Sequence, residues 1–200
     1  AYTEDDAPDN NSGKAYIFDV TTGSLLHTLH NPNAYSTSAD DSFGSSVAIS
    51  GNLAIIGSGY EGETNSGKAY IFDVTTGSLL QTLNNPNAYD TSAGDYFGQS
   101  VAISGNRVVV GAHGEDDAGG TYSGKAYIFD ATTGSLLHTL HNPNAYDTSA
   151  YDYFGISVAI SGNRVVVGAR GEKDAGGRKS GEEGNSVDPS GDFGHSRNIP

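Results

Sequence analysis

Histidines, clustered carboxylates and hydroxyls are the side chains in this sequence whose types and spacing could do chemistry. Imidazoles occur as His27 with His30 and as His138 with His141, and imidazole pairs are frequent metal ligands. Carboxylates gather in Glu4-Asp5-Asp6, Glu115-Asp116-Asp117 and Glu172-Lys173-Asp174, which suits a hard, oxygen-liganded cation such as calcium. Single aspartates recur at Asp40, Asp95 and Asp152, and again at Asp19, Asp73 and Asp130. Serines are abundant, but no Gly-x-Ser-x-Gly elbow presents one as a nucleophile. The sequence has no Cys, so thiol catalysis, disulfides and thiolate metal sites are excluded. It has no Met and no Trp either, and a chain starting Ala1-Tyr2-Thr3-Glu4 is expected to be processed or a fragment.

The charge balance narrows the partners. Ten Lys and Arg against 24 Asp and Glu leave a net charge of −14. Such a surface repels phosphate backbones and anionic lipid headgroups, so no nucleic-acid partner is expected. No apolar run approaches the roughly 20 residues of a spanning helix, so no membrane insertion is expected. Leu, Ile, Val and Phe together fall just under the roughly 20% below which charged chains tend to be disordered. They are concentrated, however, in short runs that recur.

Those recurring runs are the elements that must position any site. Ser12-Gly13-Lys14-Ala15-Tyr16-Ile17-Phe18-Asp19 returns at Ser66 to Asp73 and at Ser123 to Asp130. From Lys14 to Lys68 is 54 residues and from Lys68 to Lys125 is 57. The pair Phe43-Gly44 returns as Phe97-Gly98 and Phe154-Gly155 in the same register, and the added length falls in the loop from Glu115 to Tyr122. Each unit has the pattern of four short strands. Ser100-Val101-Ala102-Ile103-Ser104 alternates apolar and small residues, and Gly105-Asn106 suits a tight hairpin. Arg107-Val108-Val109-Val110-Gly111 and Lys125-Ala126-Tyr127-Ile128-Phe129 are apolar on both faces, as covered central strands are. Ser135 to His141 mixes apolar and polar residues and stops at Asn142-Pro143, as an outer edge strand does. No helix is expected beyond a turn or two in the connector Ala145-Tyr146-Asp147-Thr148-Ser149.

This predicts an all-β chain of four-stranded antiparallel units graded from a buried inside to a polar outside, the pattern of β-propeller blades. Two facing sheets are the alternative, disfavoured because the second strand has no wet face. Alternation along a strand sends residues three apart to opposite faces, so neither histidine pair can chelate one ion, and the middle copy has Gln81 and Asn84 instead. The acidic triplets lack the alternating spacing of a calcium loop and are accounted for by solvation alone. Aspartates repeated in every unit suit turn capping.

The stretch Asp95-Tyr96-Phe97-Gly98-Gln99-Ser100-Val101-Ala102-Ile103-Ser104-Gly105-Asn106-Arg107-Val108-Val109-Val110-Gly111-Ala112 resembles an FG-GAP repeat, the blade unit of the integrin α-subunit propeller and of bacterial extracellular proteins. Asp152 to Ala169 matches as well, and Ser42 to Gly59 more loosely. The resemblance implies a secreted or cell-surface propeller that binds proteins or glycans. The integrin-type calcium loop between the first two strands is absent, leaving only Gly51-Asn52, Gly105-Asn106 or Gly162-Asn163, so no calcium ligand transfers and no cofactor is required. Calcium therefore rests on Glu115, Asp116 and Asp117 alone. The final Pro of Gly-Ala-Pro is replaced by Gly59, His113 or Arg170. A position that varies on a constant scaffold is what a binding rim shows, and also what neutral drift leaves; the first reading nominates His113 and Arg170 together with the adjacent Tyr60. Connector tyrosines Tyr35, Tyr89, Tyr146 and Tyr151 could also stack on sugars, although burial between blades is the stronger expectation for them. The run Tyr-Ile-Phe-Asp-x-Thr-Thr-Gly-Ser-Leu-Leu also resembles blade hairpins of quinone-dependent dehydrogenase propellers, but those rely on docking tryptophans that this chain lacks.

In chain order the sequence supplies strands three and four over 14–30, full sets over 45–84 and 99–141, and strands one and two over 156–169. Twelve strands make three blades' worth, fewer than the roughly 4 to 8 with which propellers close. Either the chain is a piece of a larger propeller, or a two-fold dimer that pairs the half-blades of two copies gives a six-bladed ring. Residues 1–177 form the repeat region, and 178–200 a degenerate tail in which Asp192-Phe193-Gly194 comes too early. The function expected is non-enzymatic adhesion or recognition of a protein or glycan, outside the cell or at its surface, with self-assembly as the alternative and a dehydrogenase-like propeller the remote third.

Overall fold

Branched and aromatic side chains fit a pleated surface, and every run of them forms a strand. The computed structural model describes residues 12–33, 40–62, 64–86, 93–118, 120–143 and 150–173, and among these there are twelve strands and no helix. β1 (Lys14–Phe18) and β2 (Leu25–His30) form an antiparallel pair. β3 (Ser46–Ser50), β4 (Leu53–Ser58), β5 (Lys68–Asp73) and β6 (Leu79–Asn84) form a four-stranded sheet in chain order. β7 (Ser100–Ser104), β8 (Arg107–Ala112), β9 (Lys125–Asp130) and β10 (Leu136–His141) form a second such sheet. β11 (Phe154–Ser161) and β12 (Arg164–Ala169) form the last pair. β11 starts two residues before the expected 156, with a register shift between Phe154 and Ser157. The acidic triplet at 4–6, Asp174, Tyr35, Tyr89, Tyr146, the connector Ala145 to Ser149 and the tail 178–200 lie outside the described residues.

The hairpin glycines Gly51, Gly105 and Gly162 take φ of 57°, 56° and 55°, as a two-residue loop requires. At the other hairpin, Asp19, Asp73 and Asp130 each accept the backbone N–H of the second and third residues on, at 2.8–3.0 Å. Those bonds, led by the one from the Thr three residues on, hold all three carboxyls below the usual range. Capping is thus what these three aspartates do. The other trio needs a correction. The counterpart of Asp95 and Asp152 is Asp41, not Asp40, because it is Asp41 that is buried two residues ahead of its Phe-Gly pair. Asp41, Asp95 and Asp152 accept from the Nδ2 of Asn31, Asn85 and Asn142 at 3.0, 2.6 and 2.8 Å, so they clamp the connectors between sheets.

Successive sheets are held face to face by the phenylalanine of each Phe-Gly pair. Phe43 is fully buried with Ala15, Ile17 and Leu29 of the first sheet and Tyr70 and Phe72 of the second. Phe97 repeats this between the second and third sheets, with Tyr127 and Phe129 each 5.9 Å away. Phe154 does so between the third and the last. The glycine that follows is required by space: at Gly98 and Gly155 a Cβ would overlap the carbonyl oxygen of Lys68 and Lys125. The first strands β3, β7 and β11 approach one another in sequence. Ser46 and Ser100 stitch them, donating from Oγ to Gly98 O at 2.8 Å and Gly155 O at 2.7 Å. Four antiparallel sheets side by side, the two complete ones each running in order from a first strand at the shared edge to a partly exposed fourth strand, are the arrangement of propeller blades.

Candidate functional site

The Phe of Asp-Tyr-Phe-Gly enters the core, and the Tyr before it has a left-handed backbone, φ 55° at Tyr96 and 56° at Tyr153. Left-handed angles are costly for aromatic residues and are held only by surrounding structure. Here they bring the rings into a row with the three residues nominated as a rim. Tyr60 meets Tyr96 edge-on at 5.3 Å between centroids. Tyr96 stacks on His113 at 5.2 Å with ring planes 10° apart. His113 meets Tyr153 at 6.1 Å, and the Arg170 guanidinium lies 4.7 Å from the Tyr153 ring centroid. Tyr122 and Tyr151 flank Tyr153 at 5.8 and 6.4 Å. The row thus runs across three successive sheets. Tyr60, Tyr122, Tyr151 and Arg170 are exposed, whereas Tyr96, His113 and Tyr153 are half-buried.

Its electrostatics follow from that partial burial. Desolvation, with the Arg170 charge adding to it, lowers His113 to about 4, so the ring is neutral at physiological pH and acts as a flat polar surface. Its Nδ1 is buried and has no hydrogen-bond partner among the described residues. Tyr96 is shifted upward by burial and by its tyrosine neighbours. The row therefore offers π faces, phenol hydroxyls and one guanidinium. It contains no nucleophile paired with a base.

Of the carboxylates nominated for calcium, those of Glu115 and Asp116 have partners within the chain. Glu115 is fully buried, pairs with the Lys125 ammonium and accepts the Tyr127 hydroxyl at 2.5 Å. Burial raises its pKa, opposed by those two hydrogen bonds. Glu61, Lys68 and Tyr70 repeat the cluster one sheet earlier, at 2.7 and 2.5 Å. Asp116 accepts the Tyr122 backbone N–H at 2.8 Å and so fixes the loop that carries Tyr122. Asp117 exchanges backbone hydrogen bonds with Gly120. Among the described residues, no group of three or more His, Asp or Glu side chains is arranged to hold a metal ion. His27 has a protein partner, its Nε2 lying 2.9 Å from Thr75 O of the next sheet; Gln81 repeats this on Thr132 O at 2.8 Å.

The sequence reasoning missed Tyr96, Tyr153 and Tyr122. The signal was the Tyr directly ahead of Phe-Gly in two of three copies, where the first copy has Ser42.

Blades of this order and a row of unlike residues across near-identical units define a β-propeller repeat protein. The FG-GAP repeat model matches residues 34–72, 87–129 and 144–183, more than half of the chain, and the chain belongs to the FG-GAP repeat family. Each matched stretch runs from a connector through the Phe-Gly pair and two strands, and the first two continue into the third strand. None of the curated proteins matches this chain.

Proposed function

We propose that this chain is a non-enzymatic recognition module of the cell exterior or surface whose aromatic row binds a protein or glycan ligand. FG-GAP repeats commonly occur in extracellular and surface proteins, and no helix among the described residues is long and apolar enough to cross a membrane. The observation that carries the reading is the continuous contact Tyr60–Tyr96–His113–Tyr153–Arg170. Tyr96 and Tyr153 share one repeat position, but Tyr60, His113 and Arg170 differ from their counterparts in the other units, and specific recognition needs such asymmetry. Tyrosine and arginine are also the residues that supply large contact area at low entropic cost. Of the two ligand classes the row favours a glycan, since exposed phenol faces stack on the C–H faces of sugar rings while hydroxyls and the guanidinium bond their oxygens.

Glycan-array screening followed by titration tests this, with tyrosine fluorescence as a readout undisturbed by tryptophan. A saccharide ligand is expected to bind in EDTA as well as in calcium. Tyr122→Ala and Arg170→Ala are each expected to weaken it about two- to tenfold, as losses of ~0.5–1.5 kcal/mol imply. Binding that is unchanged in both variants, or that requires calcium, contradicts the reading.

A further inference from the structure

At one end of the aromatic row, tyrosines stand where the same backbone elsewhere carries residues better suited to it. Tyr122, Tyr151 and Tyr153 have φ of 54°, 64° and 56°. Their counterparts one unit earlier are Asn65, Gly94 and Tyr96, at φ of 57°, 74° and 55°. The unit before that has Asp40 and Ser42 in the places of the last two. The frame does not change with the residues. Gly94 and Tyr96 donate their backbone N–H to Thr64 O and Asn65 O at 2.7 and 3.1 Å, and Tyr151 and Tyr153 donate theirs to Thr121 O and Tyr122 O at 2.8 and 3.0 Å. A left-handed backbone suits Gly and Asn and is costly for an aromatic residue, so the fold alone does not call for Tyr at 122 or 151.

What the substitutions create is a triangle of rings with centroids 5.7, 5.8 and 6.4 Å apart. Tyr122 and Tyr151 remain 37% and 49% exposed, so the triangle is open to solvent on one side. Strained backbone gathered at one place on a repeating scaffold is characteristic of ligand clamps.

The fourth member of the corner is a cation. Gly171 donates its N–H to Asp152 O at 2.9 Å, and a Cβ there would overlap Tyr151 O, so the chain at Arg170 is pinned against the turn that carries Tyr151 and Tyr153. The Tyr153 ring covers one face of the Arg170 guanidinium and leaves its N–H edge for other partners. Lys68, Arg107 and Lys125 each pair with a carboxylate of the chain. Arg170 has no such partner among the described residues, although the chain carries 24 Asp and Glu against ten Lys and Arg.

Resting on the reading of the row as a glycan-binding surface, we infer that the corner of Tyr122, Tyr151, Tyr153 and Arg170 takes an acidic sugar residue, a uronic or sialic acid. Its carboxylate meets the N–H edge of Arg170 while its ring lies on the exposed tyrosines. A guanidinium held flat presents a fork that a carboxylate matches at two points, and such charge-assisted pairs are the strong ones. The net charge of −14 acts against polyanions, but beyond about 8 Å it is largely screened at physiological salt and leaves a single contact pair intact.

Titration of the full chain with matched sugars tests this: sialyllactose against lactose, and digalacturonic acid against its methyl ester. At least one acid is expected to bind about tenfold more tightly than its neutral counterpart. Arg170→Gln is expected to bring that acid down to the affinity of the neutral sugar. Tyr122→Asn, which restores the residue type of Asn65, is expected to weaken acid and neutral sugars by the same factor and to melt no lower than the wild type. Acid and neutral sugars bound equally, or an acid preference that survives Arg170→Gln, overturn the inference and leave the row standing as a glycan surface. A Tyr122→Asn variant that melts several degrees lower also overturns it, since the ring would then serve packing. If none of these saccharides binds, the inference and the reading beneath it fall together.

Discussion

Inside each complete blade a carboxylate, an ammonium group and a phenol share one buried space, and the neighbouring aspartate feels the result. Asp41 is buried beside Glu61, and desolvation first, then that second carboxylate, raise it from 3.8 to about 7. The folded chain therefore binds a proton at Asp41 that the unfolded chain releases between pH 4 and 7. Stability from this group is complete below the unfolded value and is lost as pH rises through 7. Asp41→Asn keeps an acceptor for Asn31 without the charge, so its melting temperature is expected to exceed that of the wild type at pH 8 and to match it near pH 4. Melting curves at both values check this, and a variant that is less stable at pH 8 contradicts it. His113 has the opposite sign: its lowered value makes the fold lose stability as pH falls from about 6.5 toward 4. The Asn substitution isolates the aspartate because it leaves the imidazole in place.

Between elements, the phenylalanine of each Phe-Gly pair carries the packing of one blade on the next. Phe97 contacts residues of two sheets and is fully buried, so Phe97→Ala is expected to cost about 3–5 kcal/mol in urea unfolding. A loss under about 1 kcal/mol would mean that the sheets do not depend on it. This much was legible in the sequence, because strand runs, hairpin glycines and Phe-Gly marks are local and repeat. The aromatic row was legible only in part. His113, Arg170 and Tyr60 stood out as departures from the repeat, but Tyr96 and Tyr153 join them through a left-handed backbone that depends on blade-to-blade contact. Asp40 and Asp41 are adjacent carboxylates, and only the distance to Phe43 separates the buried clamp from the exposed neighbour. Nor could sequence show that Glu115 has an internal ammonium as its cation, since Lys125 lies ten residues away across a loop.

For the whole molecule, the central claim is that these sheets are wedged side by side about an axis, the twelve described strands making up three blades' worth of them. The most exposed large apolar residues, Val20, Val166, Val47 and Ile49, lie on the half-sheets and on the face beside β1, whereas Leu25, Leu79 and Leu136 are exposed alike on the outer strands of three sheets. Electron-microscopy class averages of the purified chain test this most directly. The account predicts sheets that radiate from a common axis, whereas an extended row of sheets or a two-layered sandwich would contradict it.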